Sequence, residues 1–442
     1  MKFLKLAVAA VLAFAGSSAY AFHDGGVAAC EGCHVMHNAS GGRAQTVVAN
    51  SRAGFQSNVT NSYLLQGSDQ SSTCLVCHGG NGAPFSVANY QTGFGPNAGS
   101  LANTNFTPGG DFGWLMFAGP STGNKKAHNV VAADYTYSAD SITTAPGGTF
   151  ASGAGKAAFA CSNCHDPHGR YRLQGLATSP EVKSPLTGGT FPITQSGSYG
   201  APTGGIPASQ AIGVYRLLAG AGYSPASNPS FPFPNDPPFA VAPVVYNQIE
   251  DNGHGEVRVA YGQGMSEWCQ NCHTNIHLDG YVNGAPGLRH PAGNGAKLQP
   301  AQFNVYNAYI SSGRVTGSNV YSSLVPFEVG SKDISDAGLK TGAASNGNPQ
   351  SGTTPAILVA GAASNVMCIS CHRAHGSGFD SITRWDNNSH STMISNATAL
   401  VNGAGLDAPT TVVAYYGRAV GANGTNIGPF QRSLCNKCHG KD

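Results

Sequence analysis

Apolar residues along this 442-residue chain gather into one long run near its start and many short ones after it. The long run, Leu6 to Ala15, follows Lys2 and Lys5 and leads to Ala19-Tyr20-Ala21. A basic start, an apolar middle and a small-residue triplet make a secretory signal peptide, so residues 1–21 are expected to be removed. No later stretch approaches the ~18 apolar residues that a membrane-spanning helix needs. After the signal, the pattern supports helix only in pieces of a turn or two, as over Ser266–Cys272, and strand over Thr411–Tyr416. Thr143–Gly155 and Gly188–Gly205, rich in Gly, Pro, Ser and Thr, read as loops. Ser224–Pro243 holds seven prolines, which a helix does not accommodate. With 60 glycines and 10% charged residues, the expected fold is mostly irregular coil with few short helices and minimal strand, in a single domain over 22–442.

The cysteines indicate what such a chain can fold around. Cys-x-x-Cys-His occurs six times: Cys30, Cys33 and His34; Cys74, Cys77 and His78; Cys161, Cys164 and His165; Cys269, Cys272 and His273; Cys368, Cys371 and His372; Cys435, Cys438 and His439. These motifs use all 12 cysteines. The pattern is the attachment signature of c-type haem. Two thiols add across the porphyrin vinyl groups, and the adjoining histidine meets the iron from one face. Zinc sites and redox disulfides also use Cys-x-x-Cys, but neither requires a histidine after every second cysteine. Six covalently bound haem c groups are therefore expected, with the chain wrapped around them. Anchors along the whole length argue against the disorder that the Gly, Ser, Thr and Asn content would otherwise suggest. Intervals between motif histidines run from 44 residues (His34 to His78) to 108 (His165 to His273), too uneven for a tandem-repeat solenoid.

Charge narrows the partners. The formal charge of +2 includes Lys2 and Lys5, which leave with the signal, so the polypeptide is near neutral. Each ferric bis-histidine haem brings one net negative charge, because two propionates outweigh the single positive charge of iron(III) in a porphyrin dianion. The holoprotein is thus acidic. Lys125-Lys126 is the only adjacent basic pair and reads as solvated surface, so no nucleic-acid partner is expected.

Fifteen histidines, less the six in the motifs, leave nine for the second axial positions. Methionine is the alternative axial ligand and raises the potential. Met1 leaves with the signal, Met36 is flanked by the better donor His37, and Met367 directly precedes Cys368, too close to the near side of its own haem. Bis-histidine iron throughout is expected, with low reduction potentials. His37, His168, His277 and His375 follow a motif histidine by three or four residues. Pinned to the near face, such a residue does not reach across its own porphyrin, but it can ligate a neighbouring haem that packs nearly in contact. A surface or propionate-binding histidine is the bland alternative at each position. His128 and His290 sit in less flexible contexts and are candidates as well, as is His23, second in the mature chain. His254 and His390, in flexible polar contexts, read as exposed. Trp114, Trp268 and Tyr415-Tyr416 offer packing for porphyrin faces.

Several stretches beyond the motifs resemble the extracellular hexahaem cytochromes of OmcS type. They run from Phe22-His23 through His37-Asn38, then Thr107-Pro108-Gly109-Gly110-Asp111-Phe112-Gly113-Trp114 and His128-Asn129. Cys164-His165-Asp166-Pro167-His168-Gly169 follows, then Arg258 to Cys269, Leu288 to Lys297, Cys371-His372-Arg373-Ala374-His375 and Cys435 to His439. The resemblance covers nearly the whole mature chain; 187–243 and 315–348 diverge. It implies a coil-rich fold around a continuous line of bis-histidine haems, alternately parallel-stacked and T-shaped. It also implies that His37 ligates a haem of the adjacent protomer, the one on His372. The candidates with family counterparts are His23, His37, His128, His168, His277, His290 and His375, one more than six irons need.

The function this implies is extracellular electron transfer along a self-assembled filament at the cell surface, with export through the periplasm. Upstream c-type cytochromes would donate electrons and extracellular acceptors such as metal oxides would receive them. A monomeric periplasmic or secreted shuttle is the alternative. A multihaem reductase needs a five-coordinate haem, which an excess of histidines disfavours, so no enzyme activity is expected.

Overall fold

Each motif in view closes as one helical turn. The structure, a computed structural model, describes residues 30–34, 39–40, 43–44, 64–79, 109–110, 112–116, 126–139, 141–152, 157–176, 178–184, 206, 211–241, 260–276, 281–282, 285–286, 292–311, 327–333, 363–377 and 380–383. The His34 N–H donates to the Cys30 carbonyl at 2.8 Å, His165 to Cys161 at 3.0 Å, His273 to Cys269 at 3.0 Å and His372 to Cys368 at 2.9 Å. One turn of this kind puts residues three apart on one face with the fourth beside them. Both thiols and the imidazole therefore face one plane.

The turns are started by side chains. Helix α1, Gln70–His78, begins at Asp69, whose carboxylate accepts the Ser72 N–H at 2.8 Å. Cys161–Asn163 is a 3₁₀ turn closed by Asn163, whose side-chain oxygen accepts the Ala160 N–H at 2.9 Å. Helix α2 spans Met265–Cys269, and helix α3, Pro300–Ser311, opens on a proline, which suits a first helical position. Helix α4, Cys368–Cys371, is closed by the Ser370 hydroxyl, which accepts the Met367 N–H at 2.9 Å. The helix expected over Ser266–Cys272 thus starts one residue earlier and ends at Cys269. Beyond it the chain tightens, with Asn271 bonding back to Trp268 and Cys272 to Cys269.

Strands are short. Hairpins join β1 (Ala39–Ser40) to β2 (Arg43–Ala44), and β3 (Arg172–Leu176) to β4 (Ser179–Lys183). Strand β5 (Ile212–Gly213) adds antiparallel to β3. Strands β6 (Phe239–Val241) and β7 (Ala260–Gln263) pair antiparallel, and β8 (Tyr281–Val282) pairs with β9 (Ala285–Pro286). A four-stranded sheet forms when β10 (Phe327–Glu328) joins β7 in parallel and β11 (Asn365–Val366) pairs with β10. Pro237 and Pro238 lead into β6, an edge strand, where a lost N–H is tolerated. Ser224–Pro243 is non-helical wherever described, and Thr143–Gly155 forms a loop over 143–152. Gly188–Gly205 and Thr411–Tyr416 lie outside the described residues, as do the signal segment, Trp114's side chain and Tyr415-Tyr416.

Among the described residues many buried apolar side chains fall into three small clusters, and each touches a motif cysteine. The cluster around Phe150, Leu173 and Val214 packs on Cys272; that around Tyr261, Met265 and Met367 on Cys269; that around Leu75, Val130 and Tyr135 on Cys161. Cores this small leave room for porphyrins between them. Among the described residues no helix is long and apolar enough to cross a membrane.

Candidate haem-binding sites

Two motif histidines are oriented by carbonyls that the chain presents at some cost. The His165 Nδ1–H donates to the Arg216 carbonyl at 2.7 Å, and the His372 Nδ1–H to the Ser381 carbonyl at 2.7 Å. Both carbonyls come from left-handed pairs: Arg216 (φ 48) with Leu217 (φ 53), and Ser381 (φ 57) with Ile382 (φ 58). Left-handed backbone at a non-glycine residue costs roughly 1–3 kcal/mol, and such strain gathers at functional sites. The reward is an imidazole held in one tautomer, with its Nε2 lone pair facing outward.

This device recurs at alternate motifs. After the left-handed pair, Leu218 bridges to His165 and the Ala219 N–H reaches the Cys164 carbonyl at 2.9 Å. Leu64 (φ 54) precedes Leu65, which bridges to His34, and the Gln66 N–H reaches the Cys33 carbonyl at 2.8 Å. Thr383 bridges to His372 in the same way. Motifs one, three and five thus share one local architecture. The uneven spacing in sequence hides a repeated unit, because each left-handed turn arrives from a loop of different length.

Across from three motif histidines stands a second imidazole. The ring centroids of His34 and His168 lie 6.4 Å apart with planes at 8°; His165 and His375 lie 6.2 Å apart and His128 and His273 6.3 Å, both at 61°. A metal–imidazole bond is about 2 Å and the nitrogen sits about 1.2 Å from the ring centre, so two imidazoles on one metal ion have centroids about 6.4 Å apart. Direct ring contact in the same region is closer, as between Phe112 and His375 at 4.7 Å. The residues therefore fit a bis-imidazole iron at three motifs. His128 is held by its Nδ1, which donates to the Ala374 carbonyl at 2.7 Å, and His273 likewise by the Pro146 carbonyl at 2.7 Å. Burial pushes His128 down to about 4 and His375 down to about 3, so both rings are neutral, the form that binds metal. Among the described residues no three His, Cys, Asp or Glu side chains converge on a common point.

Successive motifs touch through their cysteines in alternation. The Cys74 thiol hydrogen-bonds to Cys161, and the Cys269 thiol to Cys368, joining first cysteines of motifs two and three and of motifs four and five. Burial raises Cys33, with Cys77 adding to the rise, and burial likewise raises Cys272, with Cys164 adding, so second cysteines lie near each other between motifs one and two and between three and four. At both first-cysteine junctions a fully buried serine, three residues ahead of the even motif, accepts the next motif's N–H. Ser71 accepts from Cys161 at 3.2 Å and Ser266 from Cys368 at 3.1 Å. The motifs follow one another in space in chain order from one to five.

His168 faces His34 and His375 faces His165, each away from the motif it follows by three residues. His23, His37, His277, His290, His439, Cys435 and Cys438 lie outside the described residues, as do His254 and His390. Sequence reading missed Asp166, although Asx residues in Cys-His-Asp-Pro-His carry a turn signal. Its buried carboxylate accepts the His168 N–H at 3.2 Å, the Arg170 N–H at 2.7 Å and the Arg170 Nε–H at 3.0 Å, and so sets the turn from His165 to His168. Asp166→Ala removes charge-assisted bonds worth about 2–3 kcal/mol together. The expected result is partial loss of the low-spin signal at the His34 iron, read as carbon monoxide binding to one haem per protomer.

Paired thiols on one face of a turn, with an oriented histidine beside them and a second imidazole at metal-bridging distance, define a multihaem c-type cytochrome. No protein-family model matches the chain. It belongs to the family of the C-type cytochrome OmcS of Geobacter sulfurreducens, to which it is 43% identical over 100% of this chain and 99% of that protein. The cryo-EM structure of the OmcS nanowires matches it with TM-score 0.71 and 41% identity, covering 95% of this chain and 100% of that one. An outer membrane cytochrome S filament from the same organism matches with TM-score 0.67, 41% identity and the same coverage. Like its relative, the chain carries covalently bound haem c.

Proposed function

We propose that this protein carries single electrons along six covalently bound haems and that its protomers join head to tail into an extracellular filament. His34, His78, His165, His273, His372 and His439 are the proximal ligands in this reading, and each cysteine pair holds one porphyrin. His168, His375 and His128 are the distal ligands at His34, His165 and His273. His23, His277 and His290 supply the remaining intrachain positions, with one candidate to spare. When bound, haem supplies one-electron iron(III)/iron(II) chemistry, and bis-histidine ligation keeps its potential low. The residues' task is to fix orientation and to hold neighbouring sites close, as the Ser71 and Ser266 hydroxyls do by accepting the Cys161 and Cys368 N–H groups.

One observation carries the filament. The histidine three places after motif three faces motif one, and the histidine three places after motif five faces motif three. Each reaches back two motifs. His37 stands three places after motif one, and in a head-to-tail array of protomers motif one follows motif six of the adjacent chain. The same step therefore takes it to motif five of an adjacent protomer, the haem on His372. The relatives' nanowire structures support this reading. Cell-surface c-type cytochromes would donate electrons, extracellular acceptors such as metal oxides would take them, and residues 1–21 would direct export through the periplasm.

Cryo-electron microscopy of protein sheared from cells that express the chain tests this. Helical filaments with one haem per protomer ligated across the junction are expected. Dispersed particles with six internally ligated haems would instead make it a soluble shuttle.

A further inference from the structure

The four-stranded sheet encloses a carboxylate that none of the haem sites uses. Glu328, on β10 between β11 and β7, is 0% exposed. One of its oxygens accepts the Met265 N–H at 2.6 Å, and the other accepts the Asn365 side-chain amide at 2.6 Å. Met265 opens α2, which ends in Cys269; Asn365 stands three residues before Cys368. A single buried carboxylate thus ties together the segments that lead into motifs four and five.

Among the described residues few ionisable groups face it. From α2 comes Glu267, with one oxygen accepting the Asn294 N–H at 2.7 Å and the other buried without a hydrogen-bond partner. From the segment 292–298 comes Lys297, whose Nζ donates to the Asn365 side-chain oxygen at 2.8 Å. Tyr261 pairs with Glu328 through the backbone of β7, but its hydroxyl bonds to that of Tyr215. Farther along its own segment, Lys332 sits over the Phe239 ring and the Asp333 N–H bonds Ser331. Burial pushes the Glu328 carboxyl up to about 7; its bonds from Asn365 and Met265 oppose the rise, Glu267 adds to it and Lys297 opposes it.

We propose that Glu328 is a proton-binding site whose occupancy follows the electron occupancy of motifs four and five. This rests on the reading that both motifs carry haem. When an electron arrives from the neighbouring haem and iron(III) becomes iron(II), one negative charge is added beside the segments that Glu328 bridges. The carboxylate then takes one proton from solvent and becomes a carboxylic acid; reoxidation returns the proton. A buried group in low dielectric feels such a charge strongly. Electron hopping through the middle of the protomer is in this way coupled to proton uptake near neutral pH.

The test is a spectroelectrochemical titration of the holoprotein on both sides of neutrality, with redox-difference infrared spectra, in wild-type, E328Q and K297M forms. In the wild type, one or two potentials fall as pH rises through neutrality, by ~59 mV in all if reduction raises the proton affinity tenfold. A carboxylic acid carbonyl band appears on reduction. E328Q, which retains an acceptor for the Met265 N–H, loses both the band and the slope. K297M removes a neighbouring positive charge and moves the slope to higher pH. An unchanged slope and band in E328Q, or no upward movement in K297M, overturns the proposal. Mass spectrometry of the motif peptides separates the two readings. Haem missing from Cys269–Cys272 or Cys368–Cys371 overturns both, whereas haem present with an unchanged slope overturns only the role of Glu328.

Discussion

Replacing His37 with alanine is expected to dissolve the filament into protomers while leaving each protomer folded. The junction in this reading is a coordination bond from one chain to the iron on His372 of the next. Each ~1.4 kcal/mol lost from an association weakens it tenfold, so losing even about 4 kcal/mol per junction lowers affinity about a thousandfold. Polymer length falls steeply when every junction is weakened alike. Sedimentation and electron microscopy read the loss of filaments. The same variant leaves one haem in six without its second imidazole, which gives a high-spin signal and carbon monoxide binding at one site per protomer. His168→Ala is the matching control. It opens the His34 iron, which faces a histidine of the same chain, and is expected to show the same spectral change with filaments retained. Filaments that persist in His37→Ala, with all haems low-spin, would sink the intermolecular ligation.

The contrast between His37 and His168 also shows how far the sequence can be read. A histidine three residues past a motif histidine is legible as a candidate ligand to some other haem, because one helical turn fixes which face it occupies. Which haem it serves is a tertiary property. The step of two motifs emerges only when His168 is seen opposite His34 and His375 opposite His165. Motifs one, three and five look unrelated in sequence because Leu64, Arg216-Leu217 and Ser381-Ile382 are not residues that announce positive φ. Arg216 and Ser381 adopt it here, each with its successor Leu217 or Ile382, where the fold aims their carbonyls at an imidazole. The coil-rich class was legible from glycine and proline content, and so was the described part, 143–152, of the loop expected over Thr143–Gly155. That the loop's Pro146 carbonyl would hold His273 was not. Nor does anything local single out Glu328, whose setting comes from pairing Phe327–Glu328 with strands far away in the chain.

Gly110→Ala is expected to disturb two irons with a single methyl group. Gly110 sits at φ +86 and bridges to Gly376, and a Cβ there would lie 1.9 Å from the Gly376 carbonyl oxygen. Left-handed strain alone costs roughly 1–3 kcal/mol, and the clash adds to it because the opposing atom is backbone and cannot rotate away. The displaced segment carries His375, whose N–H bonds the Gly109 carbonyl at 2.7 Å. It also carries the Ala374 carbonyl that orients His128, and the His375 carbonyl that accepts the His128 N–H at 3.0 Å. His375 faces His165 and His128 faces His273, so both proposed distal imidazoles move together. Carbon monoxide should bind at up to two sites per protomer, and the affected sites should be those of motifs three and four. Gly222→Ala separates strain from clash. Gly222 has φ +83, but a Cβ there meets nothing within 4 Å, so the variant should lose stability by the backbone cost alone and keep a fully low-spin spectrum. If Gly110→Ala also remains fully low-spin, the packing of Gly110 against Gly376 does not govern the distal ligands, and another contact must hold His375 and His128 in place.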